Sequence, residues 1–179
     1  MYEEKEKSYF ESVRVELLEL IPEKNRQGNM LEIGAGSGST LIHAKQNGYA
    51  KKIYGIELNK IENSYQNSDE FEEFLIGNVE TMKLLFKKNQ FDVILCGDLL
   101  EHLTDPYTLV SVLKNYLKND GVFIASLPNI RYFSILKDLV INGDFKYTER
   151  GILDKTHLRF SVKKIWLIYL FKMDIKLTV

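Results

Sequence analysis

The stretch Asn29-Met-Leu-Glu-Ile-Gly-Ala-Gly-Ser-Gly38 decides how this chain is read. Met30, Leu31 and Ile33 form a short apolar run of the kind a buried strand carries, and glycines then stand at 34, 36 and 38. Thr40-Leu-Ile-His-Ala-Lys-Gln46 follows as the beginning of a helix. Glycines between a strand and a helix let the backbone turn sharply and let a ligand approach its N–H groups. The pattern therefore predicts a nucleotide-type binding turn. A dinucleotide fingerprint, G-x-G-x-x-G or -A, would place its third small residue at Ser39. Here the third glycine comes one residue earlier, and an acid, Glu32, precedes the first. A second acid, Glu57, ends the next apolar run, Lys52-Ile-Tyr-Gly-Ile-Glu57, 23 residues after Gly34. An acid at the tip of a second strand can accept hydrogen bonds from both hydroxyls of a ribose.

A chain of 179 residues, 45% hydrophobic and 27% charged, fits one globular domain with a real core. Lys+Arg 24 against Asp+Glu 25 leaves a formal charge of −1, without the basic excess that a nucleic-acid partner demands. Cys96 is the only cysteine, so no intramolecular disulfide can form. Its place in Phe91-Asp-Val-Ile-Leu-Cys96 predicts a buried, inert thiol. The first residues carry no apolar stretch of the signal-peptide kind, and no window reaches membrane-spanning length. The expectation is a cytoplasmic protein with no membrane partner.

Apolar residues at 9, 10, 13, 17, 18 and 21 predict an amphipathic helix over 3–21, closed by Pro22 and Gly28. Beyond the first strand, the pattern predicts a helix over 38–47, a strand over 51–57 and a short polar helix over 59–67. A weaker strand over 71–76 and a helical turn or two over 81–88 follow. A strong strand over 91–96 leads to a helix over 105–117 that opens on Asp105 and Pro106. Asn119-Asp-Gly121 reads as a turn feeding a fifth strand over 122–126. This alternation predicts an α/β fold, a doubly wound and mostly parallel sheet with helices on both faces. The whole of 1–179 reads as one domain, with an N-terminal helix within 1–22 and an insertion over 127–160, too long for an ordinary connection.

An acid followed by G-x-G-x-G resembles the first motif of the class I S-adenosylmethionine-dependent methyltransferases, whose fold is Rossmann-like. The resemblance implies S-adenosylmethionine as cofactor, with S-adenosylhomocysteine as product, held by Glu32, Gly34, Ala35, Gly36, Gly38, Glu57 and Leu58. Gly77-Asn-Val-Glu80 is similar to the family's Gly-Asp-Ala-Glu, which implies adenine contacts from Asn78 and Val79; an amide oxygen can replace the carboxylate as acceptor. Gly97-Asp-Leu-Leu-Glu-His-Leu103 resembles the segment lining the methionine end of the cofactor, and brings in Asp98 and His102. Glu101 beside His102 is too small a set for a metal, and no second histidine follows at helical spacing, so no metal is expected.

Two further stretches, Pro128-Asn-Ile-Arg131 and Asp154-Lys-Thr-His-Leu-Arg-Phe160, resemble a bacterial subgroup of these enzymes associated with sugars and surface polysaccharides. Methyl transfer to a hydroxyl needs an oriented acceptor and a place for its proton. His157 and His102 are the candidate bases, because imidazole titrates near neutral pH. Asn129, Arg131, Asp154 and Arg159 are the candidate acceptor-binding residues; the arginine forks suit a phosphate or carboxylate, or else pair structurally with Asp154 or Glu149. The implied activity is O-methylation of a small sugar-like or phosphorylated molecule. N- or C-methylation, a catalytically silent cofactor-binding subunit and a nicotinamide-dependent oxidoreductase are the rivals. The pattern closes with a helix over 161–171 and a strand over 173–179, one strand short of the usual fold. That last strand either pairs beside the fifth in the same chain or leaves the edge to another subunit, and Trp166, Tyr169 and Phe171 lean the reading to a homodimer at this end.

Overall fold

Five parallel strands carry the molecule: β1 (Gly28–Ile33), β2 (Ala50–Glu57), β3 (Phe71–Ile76), β4 (Phe91–Gly97) and β5 (Leu117–Ser126), in the spatial order β3-β2-β1-β4-β5. The structure, a computed structural model, describes residues 13–166. Strands buried on both faces must be apolar at successive positions, and β4 shows it. Val93 and Leu95 enter a cluster with Leu17, Leu18, Met30 and Leu41, while Ile94 and Cys96 enter the opposite one with Ile33, Leu109, Val110 and Phe123. Cys96 is fully buried, as its apolar run predicts, and burial pushes its thiol far above the usual range. The chain order reverses between β1 and β4, and the ends of those strands form the crevice where open α/β sheets bind ligands.

The helices flank this sheet. Of the leading helix expected over 3–21, the described part is α1 (Val15–Leu18), and residues 1–12 lie outside the described residues. The helix α2 (Ser39–Gln46) follows the glycine turn. In α3 (Pro106–Lys114), Asp105 caps the start by accepting from the Thr108 N–H at 3.1 Å, with Pro106 in the first turn. The insertion carries α4 (Phe133–Lys137) and a π-helical turn over Asp138–Asn142, neither with a buried residue.

Four expectations need correction. The 81–88 segment is not helical: Leu84 is buried, Leu85 is 78% exposed and Phe86 packs on the core. That period of two suits extended chain, because a helix sends residues two apart to different sides. Phe86 stands edge-on to Tyr54, Phe91 and Tyr116, and this aromatic contact outweighs the segment's helix propensity. The 59–67 segment forms turns and one 3-10 turn at Tyr65–Asn67. Asn119-Asp-Gly121 falls inside β5, at the irregularity where pairing passes from Phe91↔Leu117 to Val93↔Val122. Finally, Trp166 is 6% exposed, stacks on Tyr107 and donates to Ser161 Oγ at 3.0 Å, so its ring packs in the core of this chain. Tyr169, Phe171 and the strand expected over 173–179 lie outside the described residues.

Candidate active site

The glycine turn is built for close approach. Gly34, Gly36 and Gly38 have φ of 72°, 53° and 86°, in the left-handed region where a side chain is strained. Gly34 and Ala35 donate their N–H groups to the Ile56 carbonyl at 2.8 and 3.0 Å, which clamps the turn to β2. Glu57 completes the clamp: Oε2 accepts from the Gly36 N–H and Oε1 from the Leu58 N–H, both at 2.8 Å. A carboxylate offers about four lone-pair sites, so Glu57 can hold the turn and still receive ribose hydroxyls. Gly38 does something else. A Cβ there would lie 2.8 Å from Phe71 Cζ, so this glycine serves helix–sheet packing beside the site.

A cavity of about 210 Å³ opens where β1, β2 and β4 end. Ile33, Ile56, Val79, Leu99 and Leu103 make its apolar wall, fit for a flat ring. Glu57, Asn78, Glu80, His102 and Thr156 supply its polar groups. The Asn78 amide oxygen accepts from the Glu80 N–H at 2.8 Å, and one lone pair remains for an exocyclic amine. Glu80 accepts from the N–H groups of Thr104 and Asp105, tying this loop to the start of α3. The acceptors and the apolar wall fit a nucleoside whose ribose meets Glu57.

Glu32 and Asp98 stand apart from this cavity. Met30 and Glu32 alternate with Leu31 and Ile33, and Met30 belongs to the α1 side of the sheet. Glu32 is 3% exposed, and its Oε2 has no hydrogen-bond partner among the described residues. Burial raises its pKa to about 8; Arg14 opposes that rise and Glu57 adds to it. Asp98, at φ 47°, accepts from Arg14 Nη1 at 2.5 Å and from Ser126 Oγ at 2.7 Å. The sequence reading missed Arg14 and Ser126, since a tie across 84 and 28 residues leaves no local pattern.

The two histidines expected at the reaction come together. Their ring centroids lie 4.8 Å apart, and His157 Nε2 is 3.9 Å from Glu101 Oε1. His102 lines the cavity. Three of the four residues expected at the acceptor make contacts that hold the loop. Asp154 is buried and accepts from the Thr156 N–H and hydroxyl, at 2.8 and 2.7 Å. It does not orient His157, whose Nδ1 meets the Ile152 carbonyl at 3.0 Å. Arg159 Nη2 donates to the Thr104 carbonyl, in place of the pairing with Asp154 or Glu149. Asn129 bridges to Ser161 and accepts from the Arg131 N–H, while the Arg131 side chain is exposed.

Comparison with known proteins agrees with this fold. A ubiquinone biosynthesis O-methyltransferase of Glaesserella parasuis is 24% identical over 109 residues; the match takes in 56% of this chain and only 45% of that protein's length. An S-adenosylmethionine-dependent methyltransferase of Archaeoglobus fulgidus superposes with a TM-score of 0.64 at 18% identity, over 94% of this chain and 68% of that one. The YcgJ protein of Bacillus subtilis does so with 0.62 at 24% identity, over 89% and 68%. A family profile described as a methyltransferase domain matches residues 4–165, nearly the whole chain, and the chain therefore belongs to the methyltransferase domain family.

Proposed function

We propose that this domain transfers the methyl group of S-adenosylmethionine to a hydroxyl of a small sugar-like or phosphorylated acceptor, in the making of bacterial surface polysaccharide. One observation carries the reading: His102 stands on the wall of the same cavity that holds Glu57 and Gly34. A single cavity thus offers a ribose-binding carboxylate and, at another part of its wall, an imidazole. The cofactor, when bound, supplies an electrophilic methyl group. Glu57 and the glycine turn hold the nucleoside. His102, backed by His157 and Glu101, acts on the acceptor hydroxyl and its proton. The acceptor class rests on the resemblance of 128–131 and 154–160 to sugar-modifying relatives. Both Arg131 and Arg159 are exposed and offer donors to an anionic group, with one Arg159 N–H engaged at the Thr104 carbonyl.

Calorimetry with S-adenosylhomocysteine and with NAD, followed by transfer of labelled methyl to a panel of sugar nucleotides and sugar phosphates, tests the proposal. Binding of S-adenosylhomocysteine but not NAD, and a product methylated on oxygen, support it. Binding of NAD instead would overturn it. S-adenosylhomocysteine binding without transfer to any member of the panel would favour a silent cofactor-binding subunit.

A further inference from the structure

We infer that Glu101, His102 and His157 bind one divalent first-row transition ion, with Zn²⁺ the best match, at the wall of the cofactor cavity. The ion's purpose rests on the methyltransferase reading; the site itself rests on geometry. One ligand atom from each residue lies within 4.8 Å of the other two. Neighbouring donors about 2.1 Å from a shared ion stand about 3.0–3.4 Å apart, so side-chain shifts of about 1–2 Å close the set. The counting of ligands along the sequence stopped at Glu101-His102; the fold adds His157, 55 positions later.

The hydrogen bonds behind the rings set them up as ligands. His102 Nδ1 lies 3.1 Å from the Thr156 carbonyl, and His157 Nδ1 lies 3.0 Å from the Ile152 carbonyl. A carbonyl only accepts, so each Nδ1 carries a proton, and Nε2 is the ring nitrogen that can turn a lone pair to an ion. Donation of one ring N–H to a carbonyl, with the other nitrogen left to coordinate, is how metal-bound histidines are oriented. Both carbonyls belong to one short loop. Asp154 braces that loop through Thr156, and the Leu158 and Arg159 N–H groups fasten it to the Glu101 carbonyl at 2.8 and 3.1 Å. The loop thereby fixes both tautomers and their position beside a carboxylate that is 1% exposed.

Two imidazoles and one carboxylate suit Zn²⁺ and its neighbours, whereas Mg²⁺ and Ca²⁺ favour oxygen ligands alone. Three protein ligands leave at least one position open. Since His102 lines the cavity, an acceptor hydroxyl can take that position. With Nε2 on the ion, His102 acts on the hydroxyl through the metal and not as the base: coordination lowers the hydroxyl's pKa and its proton passes to solvent. The oxygen then forms the new bond to the methyl carbon as the carbon–sulfur bond breaks, and sulfur keeps the electron pair.

The test uses the full chain after chelator treatment, titrated with Zn²⁺ by calorimetry and with Co²⁺ by visible absorption. We expect one equivalent to bind, with Glu101→Gln and His157→Ala each weakening it by about tenfold or more and His43→Ala, on α2, leaving it unchanged. The chain has three histidines, so ring resonances report without any variant. Those of His102 and His157 should move with Zn²⁺, and that of His43 should not. No binding at about 100 μM ion, where a built site would be filled, or binding that survives His157→Ala, would overturn the site. S-adenosylhomocysteine affinity, measured separately, keeps the two proposals distinct. Its loss with metal binding intact overturns the methyltransferase reading alone, and the reverse overturns the metal site alone.

Discussion

Replacing Glu32 by glutamine should remove a pH dependence from the stability of this protein. The carboxyl of Glu32 is buried on the α1 side of the sheet, and burial raises its pKa from 4.5 to about 8. Between those values the folded protein holds the proton and the unfolded chain releases it, so rising pH favours unfolding. The contribution is whole below about pH 4.5, declines through the interval and is gone above about pH 8. Each unit within the interval is worth about 1.4 kcal/mol, so raising the pH from about 5.5 to about 7.5 should cost the wild type about 2–3 kcal/mol at this one group. Glutamine keeps the shape and has no proton to release. Urea unfolding of both proteins at the two pH values isolates the effect, because every other titrating group is common to both. The wild type should lose about 2 kcal/mol or more relative to Glu32→Gln as the pH rises. Equal losses in the two proteins would mean that Glu32 is already ionised in the folded state, and would refute the argument from burial.

Glu57→Ala removes the acceptor of the Gly36 and Leu58 N–H groups along with the ribose contact, and should weaken S-adenosylhomocysteine by about 1.5–3 kcal/mol in calorimetry. Unchanged affinity would take Glu57 out of the site. Gly38→Ala sets a methyl group against Phe71 at φ 86°, so it should cost about 1–3 kcal/mol in urea unfolding. A neutral result would show that the ring gives way. His102→Ala should lower turnover by about 10²–10⁴-fold while S-adenosylhomocysteine affinity stays near wild type. Full activity would remove His102 from the reaction.

The turn at 34–38 was legible in the sequence because its signal is local. Alternating glycines need positive φ, and the acids at 32 and 57 lie at the ends of apolar runs whose length alone marks strands. The parallel alternating architecture followed from the same periodicities, as did the buried thiol of Cys96 and the Asp105 cap. The 81–88 segment was misread because its inward residues are chosen by rings from β2, β4 and the end of α3, which lie elsewhere in sequence.

At the site, composition named the right residue types and the fold assigned their work. Asp154 and Arg159 look like acceptor ligands in a one-dimensional reading; in three dimensions the first closes its own turn and the second ties down the loop before α3. The sequence by itself determined which strand ends bear the nucleotide turn, since backbone geometry there depends on neighbours a few residues away. Only the tertiary structure decided that Glu101, His102 and His157 share one place and that Arg14 reaches Asp98, because hydrogen bonds and charges act through space and their partners lie tens of residues apart along the chain.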